Sequence, residues 1–349
     1  MKTLRIFALA FCLLFSYGAI GTTGATERNK SKTAHDFYLS GNTLYRDGKY
    51  DEAIGAFRKS IALNGDYYFA RINLGVALAK TQAYKKAAQE FTLCINKKWG
   101  CDSDRFAFYH NRALAAEAGG DSTLALNDRA ALKNLDPVRA EKLKDSADYI
   151  LMDTAFVEAR NRADRDRLLE RYSKSIATGK TTVHKVGDFE GNAQEYAAIG
   201  LIEGTLEQVS GVVADFKNYP KFMPNISQIT VRSSAGEAAV VDYKLGLPLG
   251  IVKRYRLKFL AKKESTRYQL SWKKLPWPEL EPKQTVLDTY GQWIIEDFPG
   301  KDNHVLAYYR VYTDPGRIPL GTGWIADALT KQSMPKMFRN IQSRVGELK

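Results

Sequence analysis

A chain of 349 residues that is 44% hydrophobic and 11% aromatic has material for two domains with real cores, which excludes a disordered or low-complexity protein. Its net charge of +13 is spread along the length, which favours general attraction to anionic surfaces over a dedicated nucleic-acid arm.

Met1–Ala25 reads as a secretory signal peptide. Lys2 and Arg5 form a basic start, Ile6–Phe15 is apolar and uncharged, and Ala19, Gly21, Thr23 and Ala25 offer small residues for cleavage. The apolar run is shorter than the roughly 20 residues a membrane span needs. The expectation is export to the periplasm, with the leader removed between Gly21 and Ala25. An oxidising destination makes a disulfide between Cys94 and Cys101, the two cysteines left after cleavage, an expectation as well.

Residues 33–137 carry an internal period. Gly41 and Gly75 lie 34 apart, and so do Tyr50 and Tyr84, Ala53 and Ala87, Phe57 and Phe91, and Ile61 and Ile95. A third copy, from Phe106 to Pro137, aligns after four extra residues around 97–101, with Asp128 and Arg129 where an aromatic would recur. The period, the small residue where two helices meet and the closing Asp136-Pro137 resemble the tetratricopeptide repeat, which implies an α-solenoid of helical hairpins. Each hairpin leaves an apolar face that only a neighbour or a cap buries. Such a stack implies a concave groove for a protein partner, with Asn42, Arg46, Asn73, Lys80, Asn111 and Arg112 as its candidate residues.

Residues 138–180 supply the cap and linker. Tyr149, Ile150, Met152, Phe156 and Ala159 keep a helical beat that Leu168, Leu169, Tyr172 and Ile176 resume, and Gly179 ends it. Between them Arg160–Arg167 (RNRADRDR) interleaves Asp with Arg, and reads as the solvated face of a helix rather than a nucleic-acid patch.

From residue 181 the period changes to two. Tyr196–Glu203 reads as a strand, Thr205–Phe216 as a short helix with Val209, Val212 and Val213 on one side, and a strand starts again at Gln228. Val241, Tyr243 and Leu245 alternate with Asp242 and Lys244. Ile251, Tyr255, Leu257, Phe259 and Ala261 oppose Arg254, Arg256, Lys258 and Lys262. Tyr268, Leu270 and Trp272 alternate with Arg267, Gln269, Ser271 and Lys273. Such alternation describes an antiparallel sheet wet on one face and buried on the other. Gly291, Trp293 and Ile295, then Val305, Ala307, Tyr309 and Val311, continue the inner face with less contrast. The basic strip of Lys253–Lys262, Arg267, Lys273 and Lys274 reads as the solvated outer face. Trp277, between prolines in Pro276–Leu280, either touches a lipid interface or folds back on the sheet. Asp314-Pro315-Gly316 then breaks the last strand. Beyond it Trp324, Ile325, Ala328, Leu329, Met337, Phe338, Ile341 and Val345 recur at helical spacing, with a break or kink expected near Ser333–Met334 because of Pro335.

The order strand, helix, Asp215-Phe216-x-x-Tyr219-Pro220-x-Phe222-x-Pro224, strand, and the closing strand, turn and long helix, resemble the START-like superfamily. That superfamily includes START lipid-transfer domains, polyketide cyclases and coenzyme-Q-binding proteins. The resemblance runs from Tyr196 to Val345 within a domain spanning 181–349, and the central strands lack the Pro-Arg-Asp sequence of eukaryotic START domains. It implies a helix-grip fold, in which a curved antiparallel sheet wraps a long C-terminal helix around a cavity. It also implies a hydrophobic ligand there, a lipid or an isoprenoid such as a quinone. The candidate contacts are Tyr243, Tyr255, Phe259, Tyr268, Trp272, Trp293, Tyr309, Arg310, Met337, Phe338 and Ile341. On the residues alone, these rings fill a core as readily as they line a cavity.

No catalytic constellation stands out. His35, His110, His184 and His304 are scattered, without a nucleophile elbow, a metal-ligand cluster or a phosphate-binding glycine loop. No catalytic residue, metal or cofactor is assigned on this basis. The chain reads as an exported adaptor more than an enzyme, with a hydrophobic small molecule in one domain, a protein partner on the other and transient membrane-surface contact. Nucleic acid is not an expected partner. Two rivals stay open: a cyclase or dehydratase working in the same cavity through Arg310, Asp288 or a tyrosine hydroxyl, and a structural interaction module whose core is filled.

Overall fold

In the computed structural model, residues 33–100, 102–187, 193–247, 250–316 and 323–347 are described, so the expected leader Met1–Ala25 lies outside the described residues. Three helix pairs begin the chain: α1 (Ala34–Arg46) with α2 (Tyr50–Leu63), α3 (Tyr68–Lys80) with α4 (Tyr84–Asn96), and α5 (Asp102–Ala118) with α6 (Ser122–Leu135). Thr33 starts α1 with a reciprocal cap: its hydroxyl accepts from the Asp36 N–H, and the Asp36 carboxylate accepts from the Thr33 N–H, each at 3.1 Å. The 34-residue period is a packing period. A Cβ on Gly41 would come within 2.5 Å of the Phe57 ring, and one on Gly75 within 2.5 Å of Phe91. Each first helix therefore leaves room for the aromatic of the second. The third pair lacks that aromatic. There the Arg112 guanidinium donates to both carboxylate oxygens of Asp128, at 2.7 and 2.8 Å, and ties α5 to α6.

After the short α7 (Pro137–Lys142) the chain returns in extended form over 148–153 and crosses α1, α3 and α5. Asn111 brackets Ile150, donating to its carbonyl at 2.8 Å and accepting from its N–H at 2.7 Å. Asn73 brackets Met152 in the same way, at 2.9 and 2.8 Å. These bonds satisfy the backbone of an extended segment that belongs to no sheet.

Eight antiparallel strands follow α8 (Thr154–Ala177): β1 (Thr182–Gly187), β2 (Gln194–Glu203), β3 (Ile226–Ala235), β4 (Ala238–Gly246), β5 (Val252–Lys263), β6 (Arg267–Leu275), β7 (Asp288–Asp297) and β8 (His304–Asp314). Their order is β1-β2-β8-β7-β6-β5-β4-β3, so the last strand pairs with β2 and joins the first hairpin to the meander. Helix α9 (Leu206–Ala214), capped by Thr205 and Gln208, and the short α10 (Tyr219–Phe222) link β2 to β3. Helix α11 (Gly323–Gly346) lies on the inner face, where Met334, Phe338, Ile341 and Val345 pack with Ile295, Val305 and Ala307. This is the helix-grip arrangement. Of the break or kink expected near Ser333–Met334 the break does not occur, since α11 runs through Pro335. Met334 and Phe338, buried on either side, anchor the turn that lacks the proline's hydrogen bond.

The outer face is not uniformly wet. Leu168 and Ile176 of α8 pack on Ile199, Ile294, Leu306 and Tyr308 of β2, β7 and β8, which removes the alternation contrast from those strands. The run Arg160–Arg167 departs from the solvated-face reading in part: Arg162 and Asp166 are exposed, but Arg160, Asn161 and Asp164 are each 3% exposed. Arg160 donates to Asp104 of α5 at 3.3 Å, while Asp164 accepts from Tyr308 of β8 at 2.9 Å. Its two buried charges face opposite charges on different elements, Arg160 on Asp104 of α5 and Asp164 on Arg310 of β8. The outer-face reading of the basic strip holds for Arg254 and Lys262, which are exposed, but Lys273 is bonded to Asp36 of α1. Trp277 folds back on the sheet, with the Arg256 guanidinium 4.6 Å from its ring.

Candidate functional site: the cavity of the helix grip

Between the inner sheet face and α11 lies a cavity of about 240 Å³. Strand alternation aims Tyr243, Tyr255, Phe259, Trp272, Trp293 and Tyr309 into it, and α11 contributes Met334 and Met337. The rings order one another. Tyr243 and Tyr255 stack at 5.3 Å with 4° between planes, Trp272 and Tyr309 at 5.4 Å, and Trp293 leans on Tyr309 at 4.6 Å. Gly291 makes room for this wall, since a Cβ there would fall 2.5 Å from the Trp272 indole.

The other expected contacts lie elsewhere. Tyr268, Phe338 and Ile341 belong to the closed core beside the cavity, Phe338 packing on Trp293 at 5.3 Å. Arg310 is corrected outright. It follows inward Tyr309, so it points to the outer face, where it donates to Glu195 at 2.8 Å and reaches Asp164 at 3.5 Å. Asp288 also misses the cavity, since Thr289, next along the strand, is the one that lines it.

Burial raises the hydroxyl pKa values of Tyr243, Tyr255 and Tyr309 well above the usual tyrosine value, so these groups stay protonated donors. None of the three makes a protein hydrogen bond among the described residues, whereas Tyr219, also in the lining, donates to the Val213 carbonyl. The residue that sequence reasoning missed is Lys253. It stands in the inward register of Tyr255 and Leu257, which was the available signal, and is 2% exposed. Its ammonium donates to the carbonyls of Lys283 at 2.9 Å and Thr285 at 3.1 Å, and desolvation holds its pKa below the ordinary lysine value against the opposing pull of Asp314. The remaining polar lining is uncharged: Gln194, Asn225, Thr289, Thr313 and Ser333. Among the described residues no carboxylate or imidazole lines the cavity, and no cluster suits a metal ion.

The six groove candidates of the helix pairs are engaged by the chain itself. Asn73 and Asn111 hold Met152 and Ile150, and Asn42 accepts from Asn73 at 2.7 Å. Arg46 pairs with Asp153 at 2.9 Å, Lys80 sits 5.9 Å over the Tyr149 ring, and Arg112 is spent on Asp128. Cys94 is a free, fully buried thiol whose pKa burial pushes up, and Cys101, the other half of the expected disulfide, lies outside the described residues. No helix among the described residues is long and apolar enough to cross a membrane.

No protein-family model and no curated protein matches the chain. Solved structures match it in part. A fragment of a STAR-related lipid transfer protein from Xanthomonas axonopodis is 14% identical over 48% of this chain and 94% of its own, with a TM-score of 0.42. Human StAR-related lipid transfer protein 5 is 15% identical over 56% of this chain and 99% of its own, also at 0.42. The Zhui aromatase/cyclase from Streptomyces sp. R1128 is 10% identical over 44% and 94%, with a TM-score of 0.35. The helix grip described above rests on strand order and the seat of α11.

Proposed function

We propose that the chain is an exported carrier that holds a hydrophobic small molecule between the sheet and α11. The observation that carries this reading is an aromatic cavity with three protonated tyrosine hydroxyls and a desolvated lysine, none of the hydroxyls bonded to protein among the described residues. At about 240 Å³ it falls below the roughly 300–1,000 Å³ of common ligand sites. A ring-bearing isoprenoid such as a quinone, or a single-chain lipid entering in part, suits that space better than a two-chain lipid. The tyrosines donate to a carbonyl or ester head group, and the rings cover its apolar body. A cyclase reading loses Arg310 and Asp288, both on the outer face, and keeps only the tyrosines and Lys253.

In this reading residues 33–137 form a tetratricopeptide array, the leader is removed before Ala25 and the mature chain works in the periplasm. A protein partner then competes with the chain's own 148–153 segment or binds beside it at Arg46 and Lys80.

Organic extraction of the purified protein followed by mass spectrometry, beside titration with a fluorescent quinone or lipid analogue, tests the carrier. Val311→Trp, from a lining position on β8, should abolish binding while melting stays within a few degrees of wild type. An empty extract and no analogue bound by wild type would end the proposal.

A further inference from the structure

A second and larger cavity, about 430 Å³, lies on the opposite side of the sheet, where α1, α3 and α8 meet the outer faces of β5 to β8 and β2. Its walls are of two kinds. One is a run of rings, His35, Tyr38, Tyr67, Phe69 and Tyr290, with His35 stacked on Tyr290 at 6.2 Å. The other is polar, built from Glu195, Gln292, Gln269, Asn161 and the guanidinium groups of Arg160 and Arg310.

Glu195 and Gln292 each leave one polar atom of this wall without a hydrogen bond among the described residues. Glu195 is 1% exposed; one carboxylate oxygen accepts from Arg310, and the other accepts nothing. Gln292 is 7% exposed; its carbonyl end accepts from Gln269 at 3.1 Å, and its amide nitrogen donates to nothing. A buried acceptor and a buried donor left open in one cavity are places where water or a ligand offering the complementary pair can bind. The charges around them are already matched. Arg160 pairs with Asp104 at 3.3 Å, Arg310 with Asp164 at 3.5 Å and Lys273 with Asp36 at 2.5 Å. Lys258 and Glu158 also line the cavity but are only half-buried, so among its buried groups a charged ligand would find no counter-charge to spare, and the buried wall favours a neutral occupant.

We propose that this interface cavity binds a small neutral polyhydroxylated molecule of the size of a mono- or disaccharide. A hydroxyl can both donate to Glu195 and accept from Gln292 without bringing charge, and a polyhydroxylated ring offers several at once. The aromatic wall covers the apolar face of such a ring, as tyrosine and histidine, apolar in body and polar at the tip, are suited to do. The site is open only when the helix pairs and the sheet are docked, because each contributes one wall. Binding there clamps the two together.

The test is calorimetric titration of the full-length protein with glucose and maltose, with glucose 6-phosphate and glucosamine as charged controls. Saturable binding of a neutral sugar is expected, weakened at least tenfold by Gln292→Leu. Leu260, half exposed at the rim, gives a second variant that leaves the buried wall intact, and Leu260→Trp should narrow the mouth and slow or abolish binding. Binding unchanged in both variants, preference for a charged control, or a crystal structure grown with maltose that shows only ordered water at Glu195 and Gln292 would each overturn the proposal.

Discussion

The two faces of the sheet solve opposite problems. On the inner face Phe259, Leu270, Ile295 and Ala307 meet α11 through carbon, and alternation is all that is needed to bring them there. On the outer face Arg160, Asp164, Glu195 and Arg310 are each 1–3% exposed, yet they are held by directed bonds that join α5, α8, β2 and β8. Apolar contact tolerates small shifts. A buried ion network does not, because a lost partner leaves a desolvated charge. The inner face can therefore keep an adjustable cavity, while the outer face fixes how the helix pairs sit on the sheet.

The largest expected effect breaks that contrast on its polar side. Arg310→Leu strands Glu195 and takes one of two cations from Asp164, and should cost about 3–5 kcal/mol in urea denaturation, whereas replacing Arg310 and Glu195 together with Met and Leu should recover most of the loss. On the apolar side, Phe259→Ala should cost about 2–3 kcal/mol, less than the about 3–5 kcal/mol of a closed core, because part of its ring faces the cavity. The same variant should accept a bulkier quinone analogue. A full core-sized loss with no change in ligand choice would mean that the inner face is closed.

A smaller effect separates the helix pairs from the extended segment they carry. Asn73→Ala removes both bonds to Met152 and should cost about 1–3 kcal/mol, with faster hydrogen exchange at the Met152 amide than at Ile150.

The smallest concerns pH. Burial, opposed next by Lys274, raises the Asp288 carboxyl to about 6. A folded-state pKa above the unfolded one stabilises below the unfolded value, so this contribution is lost as pH rises from about 4 through about 6. Asp288→Asn should flatten that fall and raise stability at pH 7 by about 1–2 kcal/mol. His35, lowered to about 4 by burial and then by Lys273, works the other way and costs stability as pH falls below its ordinary range. A wild-type profile that does not change when Asp288 is replaced would remove this assignment.

What the sequence determined by itself is periodicity and therefore facing. The spacing of Gly41 from Gly75 and of Phe57 from Phe91 set which helix surfaces touch, and the alternation through Tyr243, Tyr255, Phe259 and Trp272 set which side chains line the cavity. Lys253 was legible in the same pattern, as a cation in an apolar register. What lies against the opposite side of an element is not in any period, and only the tertiary structure decided it. Asn73 and Met152 are 79 residues apart and Arg310 and Glu195 are 115 apart, so neither bond leaves a local mark. Alternating Arg and Asp at 160–167 look the same whether water or a partner answers each charge. The cost of burying a charge depends on where its counter-charge stands in space.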